Sequence, residues 1–290
     1  MSDSAARDRD AAETESALAH PPVAADRTAA YGSHPDQVID FYLPGDGRTG
    51  APLVVLLHGG AWRDRYDRQH VSPMAGFLAR RGFAVASVEY RRGGDPSRQD
   101  GGEVAGRWPE TFDDVAAALD ALPELAAREV PEADLRRTVV TGHSAGGHLA
   151  LWAAARHVLP EGSPWRLPAP PPLRGVVALA PIADLAVAVE LDVCEGAVSQ
   201  LLGEGAEFEE RCAHVDPALL LPTGVATVIV QGTTDLDVPR AVSEAFVDAA
   251  AKAGETVGLT LLPGVGHFPL IDPSADACAV VAEELEQLAW

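Results

Sequence analysis

The chain is short of positive charge. Its 290 residues carry 22 lysines and arginines against 43 aspartates and glutamates, a formal net charge of −21. A surface of that sign repels phosphate backbones and anionic headgroups, so neither nucleic-acid nor membrane-surface binding is expected. Cysteine is also sparse. Cys194, Cys212 and Cys278 are odd in number, far apart and without a C-x-x-C pair, which points to free thiols in a reducing compartment. No apolar run approaches the roughly 20 residues that a membrane-spanning helix needs. The N-terminus has no basic segment followed by an apolar one, so a cytoplasmic protein is expected. H-E-x-x-H and Cys/His clusters are missing, as are a Walker loop and a G-x-G-x-x-G after a strand. No metal, nucleotide or other cofactor is therefore expected, and no motif supports a cysteine nucleophile.

Apolar runs are short and punctuated. Residues 1–25 are rich in Ala, Asp, Glu and Arg without apolar periodicity, and read as a disordered tail. Residues 26–290 suit one domain with a sizeable core. Gln37 to Tyr42 alternates like an early antiparallel strand. Pro52 to Leu57, Phe83 to Tyr90, Arg137 to Thr141, Gly175 to Ala180, Ala226 to Val230 and Val257 to Leu262 read as further strands, several of them buried on both faces. Helices are expected over Val71 to Arg80, Thr111 to Leu122 with Thr111 as its cap and Pro123 following, Ala145 to His157, Ala241 to Ala253 and Ala275 to Leu288. Arg91 to Arg107 reads as a polar surface loop and Leu159 to Pro172 as a proline-rich linker. Residues 181–222 lack strand character and suit a small cap with helical pieces. Strands alternating with helices, without an internal repeat, imply an α/β fold: a mostly parallel sheet with helices on both faces.

One stretch organises the rest. Val139 to Thr141 is a β-branched strand, Gly142-His143-Ser144-Ala145-Gly146 is a G-x-S-x-G pattern, and an alanine-rich helix follows. A serine on a tight strand-to-helix turn takes a strained backbone, and crowding two residues either side favours glycine. The turn lifts the hydroxyl off the sheet edge and sets the Ala145 N–H at a helix N-terminus, where developing negative charge is stabilised.

With these residues the chain resembles the α/β-hydrolase superfamily, in the branch of small serine esterases and amidases. His58-Gly59-Gly60-Ala61-Trp62 resembles the H-G-G-x-W oxyanion segment of the kynurenine formamidase-like group, and Gly142 to Leu149 resembles its G-H-S-A-G-x-H-L elbow. Ala61 departs from that group, which usually has an aromatic there. Gly232-Thr233-Thr234-Asp235-Leu236-Asp237-Val238-Pro239 resembles the family's G-x-x-D-x-x-V-P loop, whose first aspartate is the catalytic one.

The resemblance implies the α/β-hydrolase fold and a chemistry. Ser144 is the expected nucleophile. His267, on a glycine-flanked loop after the last strand, is the expected base, in the order Ser…Asp…His of this fold. Asp235 is the preferred acid, with Asp237 as rival. The N–H groups of Ala145 and of Gly59 or Gly60 would form the oxyanion hole. Trp62 and His58 are candidates for substrate contact, Trp62 as pocket wall or core and His58 more as a brace of its loop. His143 and His148 flank the serine, and His148 is expected to pack against a neighbouring strand. Arg63, Arg65, Arg91 and Arg92 could meet a substrate carboxylate. The implied activity is hydrolysis of a small ester or N-formyl aryl amide through an acyl-enzyme. An acyltransferase using the same three residues and a non-catalytic ligand-binding protein are the alternatives. The partner is a small-molecule ester or amide, and a homo-oligomer is compatible with the sequence.

Overall fold

The computed structural model describes residues 3–93 and 104–289. Residues 94–103, within the stretch read as a polar surface loop, lie outside the described residues. Eight strands form one sheet: β1 (Arg27–Ala30), β2 (Val38–Tyr42), β3 (Ala51–Leu57), β4 (Ala84–Val88), β5 (Ala133–His143), β6 (Gly175–Leu179), β7 (Thr227–Gly232) and β8 (Val257–Leu262). Their order is β1-β2-β4-β3-β5-β6-β7-β8. β1 and β2 pair antiparallel with each other and β2 with β4, and every later pairing is parallel. β3, β4 and β6 are buried along their whole length. That explains their near-continuous apolar sequences, since helices cover both faces.

The strand order decides where a ligand can enter. From β3 the chain steps to β4 on one side, then returns to place β5 on the other side of β3. The connections diverge there and leave a crevice beyond the carboxyl ends of β3 and β5, the usual site in an open parallel sheet. β3 and β5 are in register through Leu57 and Gly142, so their ends deliver His58 and His143-Ser144 side by side.

One face of the sheet is covered by α2 (Ser72–Arg80) and α9 (Asp276–Ala289), through residues such as Met74, Leu78, Val281 and Leu285. The other carries α3 (Glu110–Glu129), α4 (Ala145–Ala154) and α8 (Arg240–Lys252), with Phe112, Leu149, Trp152 and Phe246 in one continuous core. Each such side chain contributes about 1.5–3 kcal/mol by leaving water. Three short helices, α5 (Leu185–Glu190), α6 (Ala197–Leu202) and α7 (Ala206–Val215), fill the segment expected to be a cap. They are anchored in the same core by Leu185, Val198, Leu202 and Val215. Among the described residues no helix is long and apolar enough to cross a membrane. All three cysteines are free.

The fold corrects three expectations. Much of the stretch read as a disordered tail, 1–25, is a helix, here α1 (Asp3–Leu18). Its hold on the body is polar: Arg9 donates to Thr234 O at 2.9 Å and Ser16 to Asp272 at 2.6 Å, contacts that leave no apolar periodicity in the sequence. α3 does not stop before Pro123 but continues to Glu129. Proline inside a helix costs about 3 kcal/mol, and burial of Leu125 and Ala126 beyond it offsets that cost. Thr111 does not cap α3, because Pro109 holds the N-cap position and the Thr111 hydroxyl instead donates to Arg91 O at 2.7 Å.

Candidate active site

Ser144 occupies the turn between β5 and α4 with φ 57° and ψ −120°, a strained conformation for any residue but glycine. The flanking glycines make that turn fit. A Cβ on Gly142 would lie 2.2 Å from Gly146 O, and one on Gly146 would lie 2.1 Å from Leu57 O and 2.4 Å from His58 O. The crowding is thus between the two arms of the turn and the end of β3, rather than against the serine side chain. As the first residue of α4, Ala145 has an N–H without an intrahelical acceptor.

The segment after β3 is strained as well. Gly60 has φ 107°, Ala61 52° and Trp62 55°. Gly59 lies directly on the serine turn: an added Cβ would sit 2.8 Å from His143 O and 3.2 Å from Ser144 Cβ. Neither His58 nor Trp62, the two candidates for substrate contact in this segment, lines the cavity. His58 is wholly buried and absent from the cavity wall. Its Nε2 donates to Glu89 Oε1 at 2.8 Å, its ring stacks on Tyr90 at 4.2 Å, and the Tyr90 hydroxyl donates to His58 O at 2.7 Å. It braces the loop. Trp62 is also wholly buried, edge-on to His148 at 5.2 Å, and belongs to the core beneath the cap. His148 donates to Val215 O at the end of α7, at 2.9 Å, with Trp62 and Phe112 edge-on to its ring.

Glu89 is the hub behind this loop. Besides His58 it accepts from Arg92 Nη1 at 2.6 Å, from Arg68 N at 3.0 Å and from its neighbour Tyr90 N at 3.1 Å. Burial pushes its carboxyl up, but the His58 ring, by charge and hydrogen bond, then Arg92 and the Arg68 N–H, pull it down to about 2. No motif marks Glu89. The available signal was one glutamate closing an apolar strand, where a buried carboxylate needs partners.

The loops after β7 and β8 bring the other two expected residues together. His267 Nδ1 donates to Asp235 Oδ2 at 2.7 Å, and both side chains are buried. Asp235 is held by the N–H groups of Asp237 and Val238 at 2.9 and 2.8 Å and by Gln231 Nε2 at 3.1 Å. Burial would lower the His267 pKa. The Asp235 carboxylate, by charge and hydrogen bond, with Asp237 and Asp10 behind it, raises it above its ordinary value. His143, a second residue whose part was not foreseen, donates from Nε2 to His267 O at 3.1 Å.

Ser144, Gly60 and His267 line one cavity of about 520 Å³. The stretch between α5 and α6 supplies a wall from Leu191 to Glu195, and Asp237, with Leu236 beside it, a second. Arg63 and Arg65 also line it, and Arg63 is tied to the cap through Cys194 O at 2.9 Å. Arg91 and Arg92 do not line it: they pair with Asp114 and Glu89.

A family model described as BD-FAE matches residues 39–249. A probable isoprenylcysteine alpha-carbonyl methylesterase of Oryza sativa subsp. japonica is 28% identical over 276 residues, covering 89% of this chain and 61% of that protein. The esterase LipC of Mycobacterium tuberculosis is 26% identical over 286 residues, covering 90% and 65%. The chain thus spans about three-fifths of the length of these relatives. Among solved structures, a truncated carbohydrate esterase from gut microbiota superposes with TM-score 0.74 at 21% identity, covering 93% of this chain and 99% of that one. Esterase B from Lactobacillus rhamnosis, inhibited by a tributyrin phosphonate, superposes with TM-score 0.73 at 19% identity, covering 99% and 94%. These neighbours establish the α/β-hydrolase fold.

Proposed function

The chain belongs to the BD-FAE family, and from that membership together with its cavity we propose that it is a serine hydrolase cleaving small carboxylic esters through an acyl-enzyme. The observation that carries the reading is Ser144, held at φ 57° in the same cavity as His267, whose Nδ1 is already engaged by Asp235. That engagement leaves Nε2 to take the serine proton.

In this reading Ser144 Oγ attacks the ester carbonyl carbon while His267 Nε2 accepts its proton. The oxygen that becomes negative is met by the N–H groups of Ala145 and of Gly59 or Gly60, donors fixed at the ends of β5 and β3. Collapse breaks the bond to the alcohol, which leaves with the proton from His267. Water, deprotonated by the same imidazole, then attacks the acyl carbon and frees the acid and Ser144. Asp235 fixes the tautomer and stabilises the imidazolium without taking the proton.

Ester names among the relatives, a methylesterase and LipC, favour an ester over an aryl formamide. So does the pairing of Arg91 and Arg92 with Asp114 and Glu89, which removes two of the four cations available to a formamide substrate's carboxylate. A cavity of about 520 Å³ with both charged and apolar walls favours short acyl groups, because each methylene gains about 0.8 kcal/mol only where an apolar surface receives it. Comparing kcat/KM for aryl acetate, butyrate, palmitate and N-formylkynurenine tests this. Acetate and butyrate are expected to lead; preference for palmitate or for the formamide refutes the substrate assignment. Added alcohol should not divert the acyl group, as it would in an acyltransferase. Failure of a fluorophosphonate probe to label Ser144 would return the chain to a binding role.

A further inference from the structure

The polar helix α1 lies across the two loops that carry Asp235 and His267. Arg9 Nη2 donates to Thr234 O, the residue before Asp235, at 2.9 Å. Arg9 pairs with Glu13 at 3.7 Å. The Glu13 carboxylate lies against Gly266, the residue before His267, so close that a Cβ there would be 2.1 Å from its Oε2. Further along, Ser16 and His20 donate to Asp272 at 2.6 and 2.7 Å, just beyond the His267 loop. Asp10 and Thr14, on the same helix, line the cavity that holds Ser144. Of the helix's described apolar residues only Ala17 is buried. Hydrophobic packing therefore explains little of its docking, and its polar contacts fall on the loops that carry Asp235 and His267 and just beyond them.

We propose that α1 completes the active site, Arg9 and Glu13 being positioning residues that clasp the His267 loop to the Asp235 loop while Asp10 and Thr14 form the wall that substrate meets. The inference rests on the reading of Ser144, His267 and Asp235 as a triad. A base displaced by about 1 Å can cost on the order of a hundredfold in rate, so a clasp on the residue beside His267 acts on turnover. The charged and titratable groups around His267 are Asp235 and Asp237 on the acid loop, Asp10 and Glu13 on α1, and His143 at the end of β5.

The test uses the full chain with an aryl acetate, comparing Glu13→Ala, Glu13→Gln and Asp10→Asn by kcat, KM, pH profile and thermal midpoint. Glu13→Gln keeps the side chain's length and shape against Gly266 and should retain most of the wild-type kcat. Glu13→Ala should lose about tenfold in kcat with KM changed less than about twofold. Asp10→Asn removes a carboxylate near His267 and should move the acidic limb of the rate profile to lower pH. Wild-type kcat in Glu13→Ala, equal losses in both Glu13 variants, or an unmoved profile in Asp10→Asn overturns the proposal. Fluorophosphonate labelling separates the two readings. A wild-type chain that does not label overturns the triad, whereas labelling together with unchanged Glu13→Ala kinetics overturns only the role of α1.

Discussion

Replacing Glu89 tests whether a buried charge hub supports the loop beside Ser144. Its carboxylate accepts from His58, Arg92, the Arg68 N–H and the Tyr90 N–H, all within 3.1 Å, and the residue is 1% exposed. Glu89→Ala leaves these donors facing a void. Breaking a buried ion pair costs about 3–5 kcal/mol, and for a domain of this size ~4 kcal/mol lowers the thermal midpoint by about 8–12 °C. Glu89→Gln keeps shape and one acceptor but loses the charge, so a smaller loss is expected. The pH dependence has a definite sign. The carboxyl is held at about 2 in the folded chain against an ordinary 4.5. Its contribution, about 3 kcal/mol, is therefore present above pH ~4.5 and fades as pH falls towards 2. Urea unfolding at pH 7 and at pH 3 should show the gap between wild type and Glu89→Gln narrowing at the lower pH. Because His58 carries the Gly59-Gly60 segment, kcat should also fall, towards the hundredfold typical of a lost oxyanion donor. A gap independent of pH, with kcat unchanged in both variants, refutes the role assigned to this hub.

Ser144→Ala should reduce kcat by roughly four to six orders of magnitude while leaving the thermal midpoint near wild type, and Ser144→Gly should raise stability by ~1 kcal/mol because glycine accepts φ 57° without strain. Near-normal turnover in either variant, by stopped-flow or endpoint assay, removes the serine from the mechanism. Asp235→Asn should cost about ten-thousandfold in kcat and Asp237→Asn far less, since Asp235 is the carboxylate that receives His267 Nδ1; the reverse ranking names the other aspartate. The His267 pKa is raised, so its neutral form accumulates only at higher pH. kcat/KM should therefore rise through an apparent pKa above about 6.5, the ordinary histidine value. A profile flat between pH 5 and 8 contradicts a histidine base.

Much of the frame was legible because its signals are local. β3 and β6 are apolar runs wherever both faces are covered, so the sequence marks them without reference to partners. The G-x-S-x-G stretch is legible for a similar reason, since the turn is too tight for a Cβ at Gly142 or Gly146. α3 beyond Pro123 was not legible, because proline normally ends a helix and only the burial of Leu125 and Ala126 outweighs it. His58 and Trp62 were ambiguous, because a motif gives the backbone path but not the direction of a side chain. One turns into the Glu89 hub and the other under the cap.

The alternation of strands and helices, the forced turn at Ser144 and the chain order of serine, aspartate and histidine are all readable along the chain. Each is set by residues near one another in the chain, through backbone strain or periodic burial. Tertiary structure alone decided that Asp235 rather than Asp237 receives His267 Nδ1, that Glu89 gathers His58, Arg68 and Arg92, and that α1 closes over loops 225 residues further on. Those outcomes depend on hydrogen bonds and charge pairs between distant segments. Such contacts are specified by where the sheet brings loops together, and they leave no periodic trace in the residues that make them.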